Sequence, residues 1–130
     1  MDRIYQLRYS HTDQQIRFFL TDDVGGSHQL TQSVTLDTDW HMLTAQWDGS
    51  TIRVKLDNGS WLGNVSFSGT LNNTYTGDLT IGGSSNQVSA RDLNNAHLYG
   101  LGIWSRALTD AEVTSLYNSG TPLDFPFFGS

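Results

Sequence analysis

Ala96-His-Leu-Tyr-Gly-Leu-Gly-Ile-Trp-Ser-Arg-Ala-Leu-Thr-Asp-Ala-Glu-Val-Thr-Ser-Leu-Tyr-Asn-Ser-Gly120 is the stretch that decides the fold. Its first half, Ala96 to Trp104, reads as a buried strand. Its second half reads as one short helix over about residues 110–118, with unusually complete end signals. Thr109 is placed to act as N-cap and Glu112, three residues on, completes a capping box. Leu108 and Val113 stand where a hydrophobic staple fixes the angle at which the chain approaches the helix. Gly120 is suited to a left-handed C-cap, and Pro122 stops the helix beyond it.

Upstream, apolar and polar residues alternate with period two, the mark of half-buried strands. Tyr5, Leu7 and Tyr9 share one face of a first strand, and Ile16, Phe18 and Leu20 one face of a second, with Phe19 opposite. Leu30 to Leu36 and Trp40 to Asp48 are expected as a third and fourth strand. Asp48-Gly49 then signals a hairpin into Ile52, Val54 and Leu56, with Arg53 and Lys55 facing water. Asp57-Asn58-Gly59 makes the next turn, Trp61, Val65 and Phe67 alternate after it, and Leu79 and Ile81 mark one more short strand. Turns about every ten residues predict an all-β, antiparallel β-sandwich with one C-terminal helix. The chain of 130 residues is one domain's length, read as a sandwich over 1–122 and an apolar tail over 123–130.

Composition removes several classes of function. No cysteine is present, so disulfides, thiol catalysis and thiolate metal sites are excluded. The formal charge is −6, and the seven Lys and Arg residues are scattered, which speaks against nucleic acid and anionic membranes. No stretch is apolar enough to insert in a membrane. Met1-Asp2-Arg3 is followed by no apolar run, so a chain starting there is expected to be made in the cytoplasm without a signal peptide.

The closing strand and helix, "Trp-Ser-Arg-Ala-Leu-Thr … Leu-Tyr-Asn-Ser-Gly", resemble the last segment of the laminin G-like, concanavalin A-like jelly-roll domains. Three further segments are similar to the same family: Trp40-His41-Met42-Leu43-Thr44-Ala45-Gln46-Trp47-Asp48-Gly49, Ile52 to Gly59, and Leu79-Thr80-Ile81-Gly82-Gly83. Together they cover about residues 40–120. Two features depart from the family pattern. An acidic pair usual in the last strand is replaced by Leu98-Tyr99-Gly100-Leu101-Gly102-Ile103, and no aromatic strand precedes Tyr5. A trimmed sheet leaves an open edge, which is a template for pairing, so a homo-oligomer or larger assembly is expected.

The resemblance implies a non-catalytic recognition or adhesion module, binding carbohydrate or a protein surface and facing the exterior of a cell or particle. The alternative is a structural protein, such as a decoration or fibre component of a virus or phage. Glycoside hydrolysis is a distant third, because it needs two suitably placed carboxyls. The single glutamate, Glu112, already serves the cap, and Asp37 and Asp39, the nearest pair, are suited to shaping a turn. His11, His28, His41 and His97 show no metal-ligand spacing and read as isolated or hydrogen-bonded residues. Calcium remains admissible, since it takes carboxylate and loop-carbonyl oxygens. Asp22 and Asp23 in a glycine-containing turn are the candidates, with Asp78 or Asp92 from another loop. A glycan platform would use Trp61 and Tyr75 beside Asn72 and Asn73, with Arg91 and Asn95 adding hydrogen bonds. For Trp61 the competing reading is the core, in phase with Val65 and Phe67, and core is the expectation for Trp40, Trp47 and Trp104. Phe125, Phe127 and Phe128 of the tail are the expected interface.

Overall fold

A computed structural model describes residues 4–83 and 96–124. Six strands come in chain order: β1 (Tyr5–Ser10), β2 (Gln15–Thr21), β3 (Ser27–Ser33), β4 (Leu43–Trp47), β5 (Thr51–Leu56) and β6 (Trp61–Ser66). They are followed by one helix, α1 (Asp110–Tyr117), and a 3-10 turn over Asn118–Gly120. The strands form two antiparallel sheets of three, in the orders β1-β2-β3 and β4-β5-β6. The described residues are therefore mostly β, a sandwich with one short helix towards the C-terminus.

Each sheet's central strand supplies the core. Ile16, Phe18 and Leu20 on β2 meet Ile52 and Val54 on β5, with Leu30 and Phe67 completing the buried cluster. These are the residues that period-two alternation marks for one face, and burying them is the main favourable term in folding. Trp47 closes one end. Its ring stacks on Phe67 at 5.0 Å between centroids, and its indole N–H donates to the Phe67 carbonyl at 2.8 Å. Leu43, Ala45 and Trp47 all pack against the core, as their spacing predicts.

The helix follows its end signals closely. Thr109 is the N-cap, its hydroxyl accepting from the Glu112 N–H while the Glu112 carboxylate accepts from the Thr109 N–H. Leu108 and Val113, the staple pair, are both buried. The C-cap differs from expectation by position: Asn118 takes the left-handed conformation (φ 46°), followed by Ser119 and Gly120, also at positive φ. Asparagine tolerates this region because its short amide bonds locally, here donating to the Thr121 carbonyl at 3.2 Å.

Four expectations are corrected. β6 is not in simple alternation: Val54 pairs with Leu62 but Ile52 pairs with Val65, so three steps on β6 oppose two on β5. Gly63, at φ +74°, sits in this bulge. The extra residue shifts the phase, so Leu62 and Val65 both pack on the core and Trp61 falls on the outer face. Lys55, expected in water, is 5% exposed beneath that indole. No strand forms over 79–81 or 96–104. Gly82 and Gly100 take positive φ (77° and 66°), which interrupts an extended run, and Leu98, Tyr99, Leu101 and Ile103 are about half exposed. Finally, Trp40 is exposed and Trp104 sits at the margin of exposure rather than in the core, while Trp47 alone of the three is packed as expected.

Candidate functional site

A concavity lies where Tyr9 of β1, His11 just beyond it, the loop over 36–41 and the segment 96–99 converge. The cleft has a volume of about 700 Å³, within the range of small-ligand sites. Its walls are tied to the sandwich by specific bonds. The Leu36 N–H donates to the Tyr9 hydroxyl at 3.3 Å, which joins the loop to β1. The Asp39 N–H donates to the Asp37 carboxylate at 2.8 Å, the turn that the aspartate spacing predicts.

His41 is the pin of this wall. Its Nδ1 lies 2.8 Å from Asp57 Oδ2 and its Nε2 3.1 Å from Asp37 Oδ1. Ionised carboxylates only accept, so the imidazolium, with both ring nitrogens donating, is the form of the ring that this geometry satisfies in full. The Asp57 hydrogen bond raises the His41 pKa against the opposing effect of burial, and Asp37 adds to the rise. Asp37 in turn is held below the ordinary carboxyl range, first by the Asp39 N–H and then by His41. Asp57 also accepts from the Met42 N–H at 2.8 Å, so the turn after β5 and the loop before β4 are clamped together.

Next to this charged pin, Trp40 is 57% exposed and Tyr99 about half exposed, and both line the cleft. The Trp40 and His97 rings lie 6.5 Å apart at a 48° tilt. Tyr99 donates its hydroxyl to Asp124, which orients the ring. The site thus presents flat aromatic faces beside carboxylates and imidazoles. The readiest local hint is the run Asp37-Thr38-Asp39-Trp40-His41, in which an aromatic and a histidine directly follow two aspartates. Reading Trp40 as core hides that hint.

The residues singled out from the sequence are dispersed. Trp61 donates its indole N–H to Asp110 Oδ1 at 2.7 Å and stacks against Arg53 and Lys55 on the β4-β5-β6 sheet. Asn72 is tied to the other sheet, its N–H donating to the Thr21 carbonyl at 2.9 Å, and its side-chain oxygen caps Thr74. Tyr75 is half-buried with its ring against Gly77, and Asn73 is exposed. Asp22 commits its carboxylate within the turn: Oδ1 accepts from the Val24 and Gly26 N–H groups and Oδ2 bonds the His28 ring at 2.9 Å. These bonds, His28 foremost, lower its pKa. Asp23 and Asp78 are exposed. Among the described residues, no three His, Asp or Glu side chains gather closely enough to hold a metal ion. Arg91, Asp92, Asn95, Phe125, Phe127 and Phe128 lie outside the described residues.

No curated protein matches the chain. Among solved structures, the crystal structure of an S-layer domain-containing protein from Clostridium thermocellum aligns at 22% identity with a TM-score of 0.42. That alignment covers 90% of this chain and 65% of the other, so this chain spans less than two thirds of its length. The family model described as concanavalin A-like lectin/glucanases superfamily, of laminin G type, matches residues 2–114. With its two antiparallel sheets, buried faces on β2 and β5 and capped C-terminal helix, the chain belongs to the concanavalin A-like lectin/glucanases superfamily.

Proposed function

We propose that the protein is a non-catalytic recognition module, displayed on a cell or particle surface, that binds carbohydrate in the cleft bordered by Trp40, His97 and Tyr99. The observation that carries this reading is Trp40: a large indole left 57% exposed at the rim of a concavity, on a loop pinned by His41 between Asp37 and Asp57. A sugar ring would lay its C–H face on the indole, and Asp37, Asp39 and His97 would meet its hydroxyls. Superfamily membership supports a binding fold, and fold alone does not choose a ligand.

Catalysis is disfavoured by the state of the carboxyls. A glycosidase acid must stay protonated, which calls for a raised pKa. Among the described residues Asp22, Asp37, Asp48 and Glu112 are all shifted downward. Glu112 is held at about 2, chiefly by Arg106, whose guanidinium grips both its oxygens.

A glycan array with the wild-type chain, run with calcium and with chelator, followed by Trp40→Ala on any hit, tests the reading. Loss of an aromatic anchor should cost about 2 kcal/mol, roughly thirtyfold in affinity. Unchanged binding by Trp40→Ala moves the ligand away from this cleft. Unchanged binding by Tyr75→Ala and loss with Trp40→Ala would separate the two candidate platforms.

A second reading, a structural component of an assembly, is favoured by one observation. Leu98, Leu101 and Ile103 are 49–57% exposed along a single segment, and apolar side chains exposed together mark a surface suited to a protein partner. Light scattering across a concentration series distinguishes it: a stable oligomer supports assembly, and a monomer at all concentrations removes it.

A further inference from the structure

The wall of the cleft beside Trp40 carries carboxylate oxygens without a hydrogen-bond partner. Asp39 is exposed on that wall, and among the described residues its carboxylate takes part in no hydrogen bond or ion pair. Asp37 receives the Asp39 N–H and the His41 ring, but both bonds fall on Oδ1, so its Oδ2 is uncommitted. His41 is no counter-charge for these oxygens, because its two nitrogens are already engaged by Asp37 Oδ1 and by Asp57. Among the described residues no lysine or arginine lines the cleft, and the whole chain carries a formal charge of −6. The imidazoles of His11 and His97 can act as donor or acceptor, whereas an ionised carboxylate only accepts. What completes this wall must therefore donate. Trp40, next to Asp39 in the chain, adds an indole face that is 57% exposed, and indole is the best aromatic face for a cation.

We propose that the cleft selects amino sugars, with the sugar ring stacked on Trp40 and its protonated amine held against Asp37 and Asp39. This class of ligand presupposes that carbohydrate occupies the cleft, and it adds which carbohydrate. An ammonium brings three donors and a positive charge to oxygens that have neither. A neutral hydroxyl brings one donor and no charge. A uronic or sialic acid brings a further carboxylate to a negative wall and is repelled. The indole takes the flat C–H face of the ring, so an amine carried on a sugar uses both parts of the site, and a bare alkylammonium uses only one.

Isothermal titration of the full chain with tetramers of glucosamine, N-acetylglucosamine and galacturonic acid tests this. The titration is run at about pH 6, below the ordinary range of an amine and above that of a carboxyl. The glucosamine tetramer should bind roughly tenfold more tightly than its N-acetylated counterpart, from an exposed cation–π contact and an exposed ion pair together. That preference should shrink as added salt screens the charges. The galacturonate tetramer should not bind. In Asp39→Asn, which changes a side chain with no bond to the fold, the glucosamine and N-acetylglucosamine affinities should come within about twofold of each other. Trp40→Ala should weaken both. Equal binding of the two tetramers by the wild-type chain overturns the selectivity and leaves carbohydrate in the cleft, whereas binding of neither overturns both readings. A preference that survives Asp39→Asn overturns the role of that carboxylate. Choline binding as tightly as the glucosamine tetramer overturns the sugar as the carrier of the ammonium.

Discussion

Gly63→Ala is the substitution most sensitive to the way the two sheets meet. Gly63 is at φ +74°, where an L-residue pays roughly 1–2 kcal/mol. An added Cβ would also lie 2.4 Å from Leu30 Cδ1 and 2.9 Å from its Cγ, on a side chain that is only 1% exposed and packed in the core cluster. Overpacking of that kind adds about 1–3 kcal/mol. The sum, about 2–5 kcal/mol, corresponds for a domain of this size to a loss of roughly 8–20 °C in Tm. Urea denaturation followed by tryptophan fluorescence gives the free energy, and far-ultraviolet circular dichroism gives Tm. The two causes separate in a double-mutant cycle. Leu30→Ala alone costs about 2–5 kcal/mol through its cavity. Adding Gly63→Ala to Leu30→Ala should cost only the backbone part, about 1–2 kcal/mol, because the clashing methyl is gone. A single-mutant loss under about 0.5 kcal/mol, the range of ordinary surface changes, would refute the bulge geometry. Full additivity in the cycle would refute the contact with Leu30.

Three other expectations follow from individual contacts. Thr109→Ala should lose about 1 kcal/mol of stability in urea melts, because the Glu112 N–H loses its cap. Amide exchange should show the loss as fraying of the first turn of α1. Trp47→Phe removes the donor to the Phe67 carbonyl and should cost about 1–3 kcal/mol by the same melts, with a smaller loss meaning that carbonyl finds another partner. For His41 the folded pKa is raised, with Asp57 the main cause. Its contribution is therefore complete below the unfolded pKa of about 6.5 and is lost as pH rises through the folded value. Wild-type stability relative to His41→Gln should thus decline from about pH 6.5 upward. A difference that grows with pH would show that the ring is neutral in the fold. Proton titration of the His41 ring by NMR provides an independent reading.

The helix and the two central strands are legible in the sequence because their signals are local. A capping box spans four residues, and Thr109, Glu112, Leu108 and Val113 carry everything the helix start requires. Ile16, Phe18 and Leu20, like Ile52 and Val54, alternate within single strands, and a strand with one buried face announces itself by that period. The Asp48-Gly49 hairpin is local in the same way, with Gly49 at φ +94° as the turn requires. The aspartate turn at Asp37 and Asp39 was equally readable.

What only the tertiary structure decided depends on partners distant in sequence. One residue inserted at the β6 bulge reverses the face of everything before it, and that placement is held by the fit of Gly63 against Leu30, thirty-three positions away. Trp61 and Lys55 consequently exchange the roles that alternation assigns them: the indole leaves the core, and the lysine disappears beneath it. Ala96 to Trp104 has a strand's composition, but a strand needs a ladder as well as a pattern, and Gly100 at φ +66° breaks the run. His41 looks isolated in the sequence because its carboxylates come from both sides of β4 and β5, and folding alone brings Asp37 and Asp57 to the two nitrogens of one ring. Short-range hydrogen bonding and side-chain period are written into neighbouring residues; the phase of a bulge, the burial of a cation and the assembly of a charged cleft arise only when segments far apart in the chain compete for the same space.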